Sequence, residues 1–140
     1  MMLVVIAKTR YEVCAITGAD EVEAAALEFL VGAPPNMRAS ARGMFQLFER
    51  YAALGRQGLT SPLFHEAGAD GRIWEFVKGQ LRVYCFKDDN GLVILTHGAV
   101  KRTQVTAKAD LDRAMRVRDS YLTAKAQGRL TREEWRSDDR

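Results

Sequence analysis

The sequence predicts a small α+β domain, and three observations predict it. A β-branched run, Leu3-Val-Val-Ile-Ala, opens the chain as a buried strand. Two segments with helical spacing of apolar residues follow it. Three aromatic or β-branched runs separated by turn chemistry then precede one more helix. The expected architecture is an N-terminal strand and a helical hairpin packed on an antiparallel sheet that ends in a three-strand meander, with a C-terminal helix.

Each element has its own signal. Tyr11-Glu-Val-Cys-Ala-Ile either extends the first strand or forms a second, and Gly18 ends the region. Asp20, with Glu23 three residues on, fits a capping box that opens the first helix. Val22, Ala25, Ala26, Phe29 and Leu30 would form its apolar face, and Gly32 with Pro34-Pro35 stops it. A second helix is expected from Arg38 to Leu54, with Met44, Leu47, Phe48 and Tyr51 facing inward. Arg56 to Arg72 has little periodicity and reads as a long surface connection. Strands are expected over Ile73–Lys78, Leu81–Lys87 and Leu92–Val100. Gly79-Gln80 and Asp88-Asp-Asn90-Gly91 separate them, and Asn90-Gly91 suits a turn that needs positive φ. A last helix starts near Thr106, carries Leu111, Ala114, Met115, Tyr121 and Leu122 on one stripe, and breaks at Gly128. Residues 1–125 are expected to form the domain. Residues 126–140 form a charged C-terminal tail in which Leu130 to Trp135 suits one helical turn.

Composition narrows the function classes. The chain has 140 residues, a net charge of +3 and an isoelectric point near 9.0. Six basic residues gather between positions 101 and 118: Lys101, Arg102, Lys108, Arg113, Arg116 and Arg118. Such a concentration suits a polyanionic partner, although a charge-rich helix is more often a solvated face. The two cysteines, Cys14 and Cys85, lie in apolar runs with no metal-ligand spacing, so no metal or other cofactor is expected. The apolar start is too short for a signal peptide or a membrane span, which gives a cytoplasmic protein as the expectation.

Three stretches carry a family resemblance: Ile73-Trp-Glu-Phe; Leu81-Arg82-Val-Tyr84-Cys-Phe86; and His97-Gly-Ala-Val-Lys101-Arg102-Thr103-Gln104 with the basic helix after it. In this order, and with a helical hairpin upstream, they resemble the RelE/ParE toxin superfamily, and within it the phage-derived HigB-like branch. The resemblance covers roughly Leu3 to Leu122. It implies a RelE-like fold and a toxin of a type II toxin–antitoxin module that cleaves translated mRNA in the ribosomal A site. The implied partners are mRNA, the ribosome and a cognate helix-turn-helix antitoxin. The ParE branch poisons DNA gyrase instead, and a non-catalytic phage-derived protein binding RNA or a partner is a third reading.

Metal-free RNA cleavage needs the 2′-hydroxyl deprotonated, the phosphorane charge stabilised and the leaving 5′-oxygen protonated. Arg82 interrupts an apolar strand and matches the family's strand arginine, so it would bind the scissile phosphate. Lys101 and Arg102 match a basic pair after the last strand and would clamp the phosphate or protonate the leaving oxygen. His97 would orient RNA or relay a proton, although a lone histidine among apolar neighbours is more often structural. Strict alternation puts it beside Val93 and Leu95. Lys78, Arg113 and Arg116 are candidates for contacts to RNA or ribosome phosphates, each with a plain solvated reading beside it. RelE carries lysines where this chain has Glu75 and Val77, so the general base is open. Glu75 itself reads as a structural residue, Tyr84 and Tyr121 as core aromatics, and the spacing assigns His65 no place.

Overall fold

The computed structural model describes residues 1–18, 20–101 and 106–136. Strands β1 (Met2–Lys8) and β2 (Glu12–Thr17) form an antiparallel hairpin, so the second apolar run is a strand of its own. Helices α1 (Ala25–Val31) and α2 (Arg38–Leu54) follow. The short strand β3 (Phe64–Glu66) leads into β4 (Trp74–Lys78), β5 (Leu81–Asp88) and β6 (Leu92–Val100). Helix α3 (Lys108–Ala126) and strand β7 (Thr131–Glu134) complete the fold. The seven strands form one sheet in the order β3-β4-β5-β6-β2-β1-β7. It is mostly antiparallel; β2 with β6 and β1 with β7 run parallel.

Alternation along the strands gives the sheet two apolar faces. One face presents Val13, Ala15, Phe76, Val83, Cys85, Val93 and Leu95 to α1 and α2. There Phe48, Tyr51, Phe64 and Phe76 pack mainly edge to face. The other face presents Cys14, Ile16, Tyr84, Phe86 and Ile94 to Ala114 and Tyr121 of α3. Each buried aromatic or branched side chain contributes about 1.5–3 kcal/mol of transfer free energy, so two covered faces make a substantial core. Both cysteines are free and buried, and desolvation raises both thiol pKa values. The β5–β6 connection uses its turn residues as the sequence anticipates: Asn90 and Gly91 have φ of 64° and 74°. No helix among the described residues is long and apolar enough to cross a membrane.

Four expectations are corrected. Helix α1 starts at Ala25 without a side-chain cap, five residues after Asp20. The Glu21 carboxylate instead accepts from Gly18 N–H, Val22 is 90% exposed, and of the expected apolar face Ala26 and Leu30 are the fully buried members. The connection from Arg56 to Arg72 is not structureless, because β3 adds an edge strand to β4. The segment expected to make a helical turn near Leu130–Trp135 is β7, whose backbone pairs with β1 from Met2↔Thr131 to Val5↔Glu134. Finally, β6 carries a bulge: Tyr84 faces His97 while Cys85 faces Leu95, which leaves Thr96 as the extra residue. Beyond it the alternation inverts, and His97 leaves the face of Val93 and Leu95.

Candidate active site

Sheet register builds the site. His65 of β3 stands opposite Glu75 of β4, Glu75 opposite Tyr84 of β5, and Tyr84 opposite His97 of β6. One row of side chains therefore crosses four strands on the α3 face. The Thr96 bulge is what admits His97 to it. Arg82 lies on the same face one step along β5, opposite Val77 and Ala99.

Glu75 is the centre of the row. Its side chain is 1% exposed. Oε1 lies 2.8 Å from His65 Nε2 and 3.8 Å from Lys101 Nζ. Oε2 has no hydrogen-bond partner among the described residues. The other ring nitrogen of His65, Nδ1, lies 2.7 Å from the carbonyl oxygen of Ser61. Both His65 nitrogens thus face oxygen atoms. Lys101 leaves β6 with its backbone N–H on Gln80 O at 2.8 Å, and its side chain is only 10% exposed. A histidine and a lysine share one buried carboxylate, and His65, 39% exposed at the sheet edge, is open to solvent.

His97 closes the row. Its Nε2 is 3.1 Å from Asp110 Oδ1 on α3, and its Nδ1 is 3.0 Å from Thr96 Oγ1. Burial lowers its pKa below the ordinary histidine value; Asp110 opposes the shift and Arg113 adds to it. The ring lies 5.0 Å from that of Tyr84. Burial, with the carboxylates of Glu75 and Asp110, pushes the Tyr84 phenol well above its usual range, so it stays protonated.

The remaining candidates fall in different places. Arg82 is half-buried, and its Nη1 donates to Gly79 O at 2.9 Å and Leu81 O at 3.0 Å, bracing the β4–β5 turn. Its Nε is buried without a partner among the described residues. Lys78 lies on the opposite face, where its stem runs against Gly43 of α2. Arg113 and Arg116 are exposed on α3, Arg113 close enough to His97 to affect it. Tyr121 is bound to Asp88 at the far end of α3. Arg102 and Gln104 lie outside the described residues. Sequence reasoning missed the grouping of His65, Glu75 and Asp110. The signal for the first pair was present: a histidine and a glutamate flanking a glycine-rich turn become cross-strand neighbours once that turn closes. Among the described residues no group of three or more His, Cys, Asp or Glu side chains is placed to hold a metal ion.

The fold and this row define a small α+β protein with a carboxylate flanked by a histidine and a lysine on one face of a mostly antiparallel sheet. Comparison with family models places it further. The chain belongs to the phage derived protein Gp49-like family (DUF891), whose model matches residues 28–119. That match contains every residue of the row, together with Arg82, Lys101 and Arg113. It leaves out β1, β2 and β7, the strands on the other side of β6. No curated protein matches the chain.

Proposed function

We propose that the protein is the toxin of a type II toxin–antitoxin module and a ribosome-dependent mRNA endonuclease. The observation that carries this reading is the row His65–Glu75–Tyr84–His97, with Lys101 and Arg82 beside it. Membership of a phage-derived family and the resemblance to HigB-like toxins support it.

The chemistry follows from the contacts. Lys101, Arg82 and Arg102 neutralise charge on the phosphorane as the RNA 2′-oxygen attacks. The 2′-hydroxyl gives its proton to solvent water at the open edge of the row, because Glu75 Oε2 is buried. The P–O5′ bond breaks, and His65 gives the 5′-oxygen a proton. The products are a 2′,3′-cyclic phosphate and a 5′-hydroxyl. The hydronium so formed returns a proton to His65, and Glu75, 2.8 Å away, holds the ring in place. Tyr84 and His97 position the row, the first as a neutral phenol and the second as a link to α3. The 2′-hydroxyl nucleophile restricts the reaction to RNA. A helix-turn-helix antitoxin encoded beside the toxin would hold it in check.

The test is controlled expression with mapping of mRNA 5′ ends on ribosomes. The expected result is growth arrest with 5′-hydroxyl ends at A-site codons. His65→Gln and Arg82→Ala, each shown folded by circular dichroism, should lower cleavage by about 10²-fold or more, the usual scale for a positioned acid. Intact mRNA together with DNA breaks would replace this reading with gyrase poisoning. Intact mRNA, intact DNA and normal growth would replace it with a binding role.

A further inference from the structure

Strand β2 pairs with β6 only from Leu92 to Leu95. From Thr96 to Val100, among the described residues, no strand lies on that side of β6. A cavity of about 420 Å³ occupies the space where the edge is bare, between α1 and α3. That volume falls within the range of small-ligand sites, about 300–1,000 Å³. Its walls include Phe29 of α1, Leu81 and Val100, and its floor is His97 and Gly98. The Phe29 ring rests directly on the Gly98 backbone, since a Cβ at Gly98 would come within 2.1 Å of it. Glu28 and Arg113 supply a carboxylate and a guanidinium to the lining.

We infer that this cavity is a nucleobase subsite, which seats a base of the RNA next to the phosphate held at the row. The inference rests on the proposed endonuclease reading and adds to it the element that selects sequence. A nucleobase asks for two things together: an aromatic or apolar face to stack on and hydrogen-bonding groups at its edge. The cavity has both. Phe29 offers the face. Arg113, Glu28 and the backbone edge of β6 beyond Leu95, which no strand among the described residues pairs, offer donors and acceptors to the rim of the base. A purely apolar ligand would have no use for the last three. His97 lines the cavity and ends the row, so a base in the cavity sits at the β6 end of that row, with Glu75 and His65 two and three strands away.

The test measures affinity, not cleavage. The probes are the 3′,5′-bisphosphates of the four ribonucleosides and of abasic ribose, titrated against the whole chain by NMR. The nucleoside compounds should bind about tenfold more tightly than abasic ribose bisphosphate, the usual contribution of one base stacked on an aromatic side chain. Phe29→Leu keeps an apolar side chain but removes the ring, and it should erase that difference while leaving the abasic affinity unchanged. Arg113→Ala, at an exposed position, should change the order of the four bases. Equal binding of abasic and base-containing probes, or no binding of either, would overturn the inference. So would an advantage that survives in Phe29→Leu together with an unchanged base order in Arg113→Ala. Base-dependent binding by a protein that leaves mRNA intact would keep the subsite and remove the endonuclease; the reverse pattern would do the opposite.

Discussion

At the scale of single residues, Glu75 decides the site. A carboxylate buried to this degree is stable only with partners, and His65 and Lys101 are those partners. Breaking a buried pair by removing one member costs about 3–5 kcal/mol, because it leaves a charge uncompensated. Glu75→Ala is therefore expected to lose both activity and stability. His65→Gln keeps a donor toward Glu75 and loses mainly activity. Urea titration beside the cleavage assay separates the two. His97 gives a pH prediction. Burial holds its folded pKa below the unfolded value of about 6.5. The unfolded chain then binds the proton more readily, so stability is complete above that value and falls as pH drops below it. Urea midpoints measured from pH 7.5 to 5 should decline, and His97→Asn should flatten the decline. A slope unchanged in His97→Asn would assign the dependence to another group.

At the scale of elements, α3 buries little: Ala114, Tyr121 and Ala124 are its only buried residues. Its seat depends on polar contacts at both ends. Asp110 meets His97 near the first turn, and Tyr121 with Lys125 meets Asp88 near the last. Burial raises the Asp88 pKa, but hydrogen bonds from Lys125, Tyr121 and its neighbour's N–H outweigh that and hold it below the usual carboxylate range. Asp88→Ala leaves the buried Tyr121 hydroxyl without its acceptor and should cost about 1–3 kcal/mol by urea unfolding. The strands of the meander were legible because their aromatic and β-branched runs meet hairpin residues at both turns. Strand β7 was not legible, since Thr131-Arg-Glu-Glu has the composition of a helix and only the backbone of β1 makes it a strand. The position of His97 was hidden for a related reason. Alternation assumes a regular ladder, and nothing in Leu95-Thr96-His97 announces the extra residue.

At the scale of the whole molecule, the candidate site occupies one of the two sheet faces. Arg82, Lys101 and the row share one face, and Lys78 lies on the other. The cluster between 101 and 118 was visible as composition, but composition cannot say on which face a charge falls. Face assignment requires register, and register depends on turns and bulges. The division makes a paired prediction for toxicity on expression: Lys78→Ala is expected to leave growth arrest within about twofold of the parent, on the scale of a surface change of about 0.5 kcal/mol or less. Arg82→Ala should abolish it. Equal loss in both variants would mean that the RNA path wraps round the β4–β5 turn.

The pairing of β1 with β7 has a consequence in time as well as in space. The partners Met2 and Thr131 lie at opposite ends of the described chain. During synthesis the first strand is made early and its companion late. Until residues 131–134 leave the ribosome, the outer edge of β1 is an uncovered template for other chains. Contacts of such sequence separation also form slowly, because a long loop must close before they repay its entropy. Chains released before residue 131 should carry the whole His65–His97 row and yet associate with one another through the bare first strand. Ribosome-stalled or truncated products would then reveal this strand order as aggregation rather than as lost chemistry.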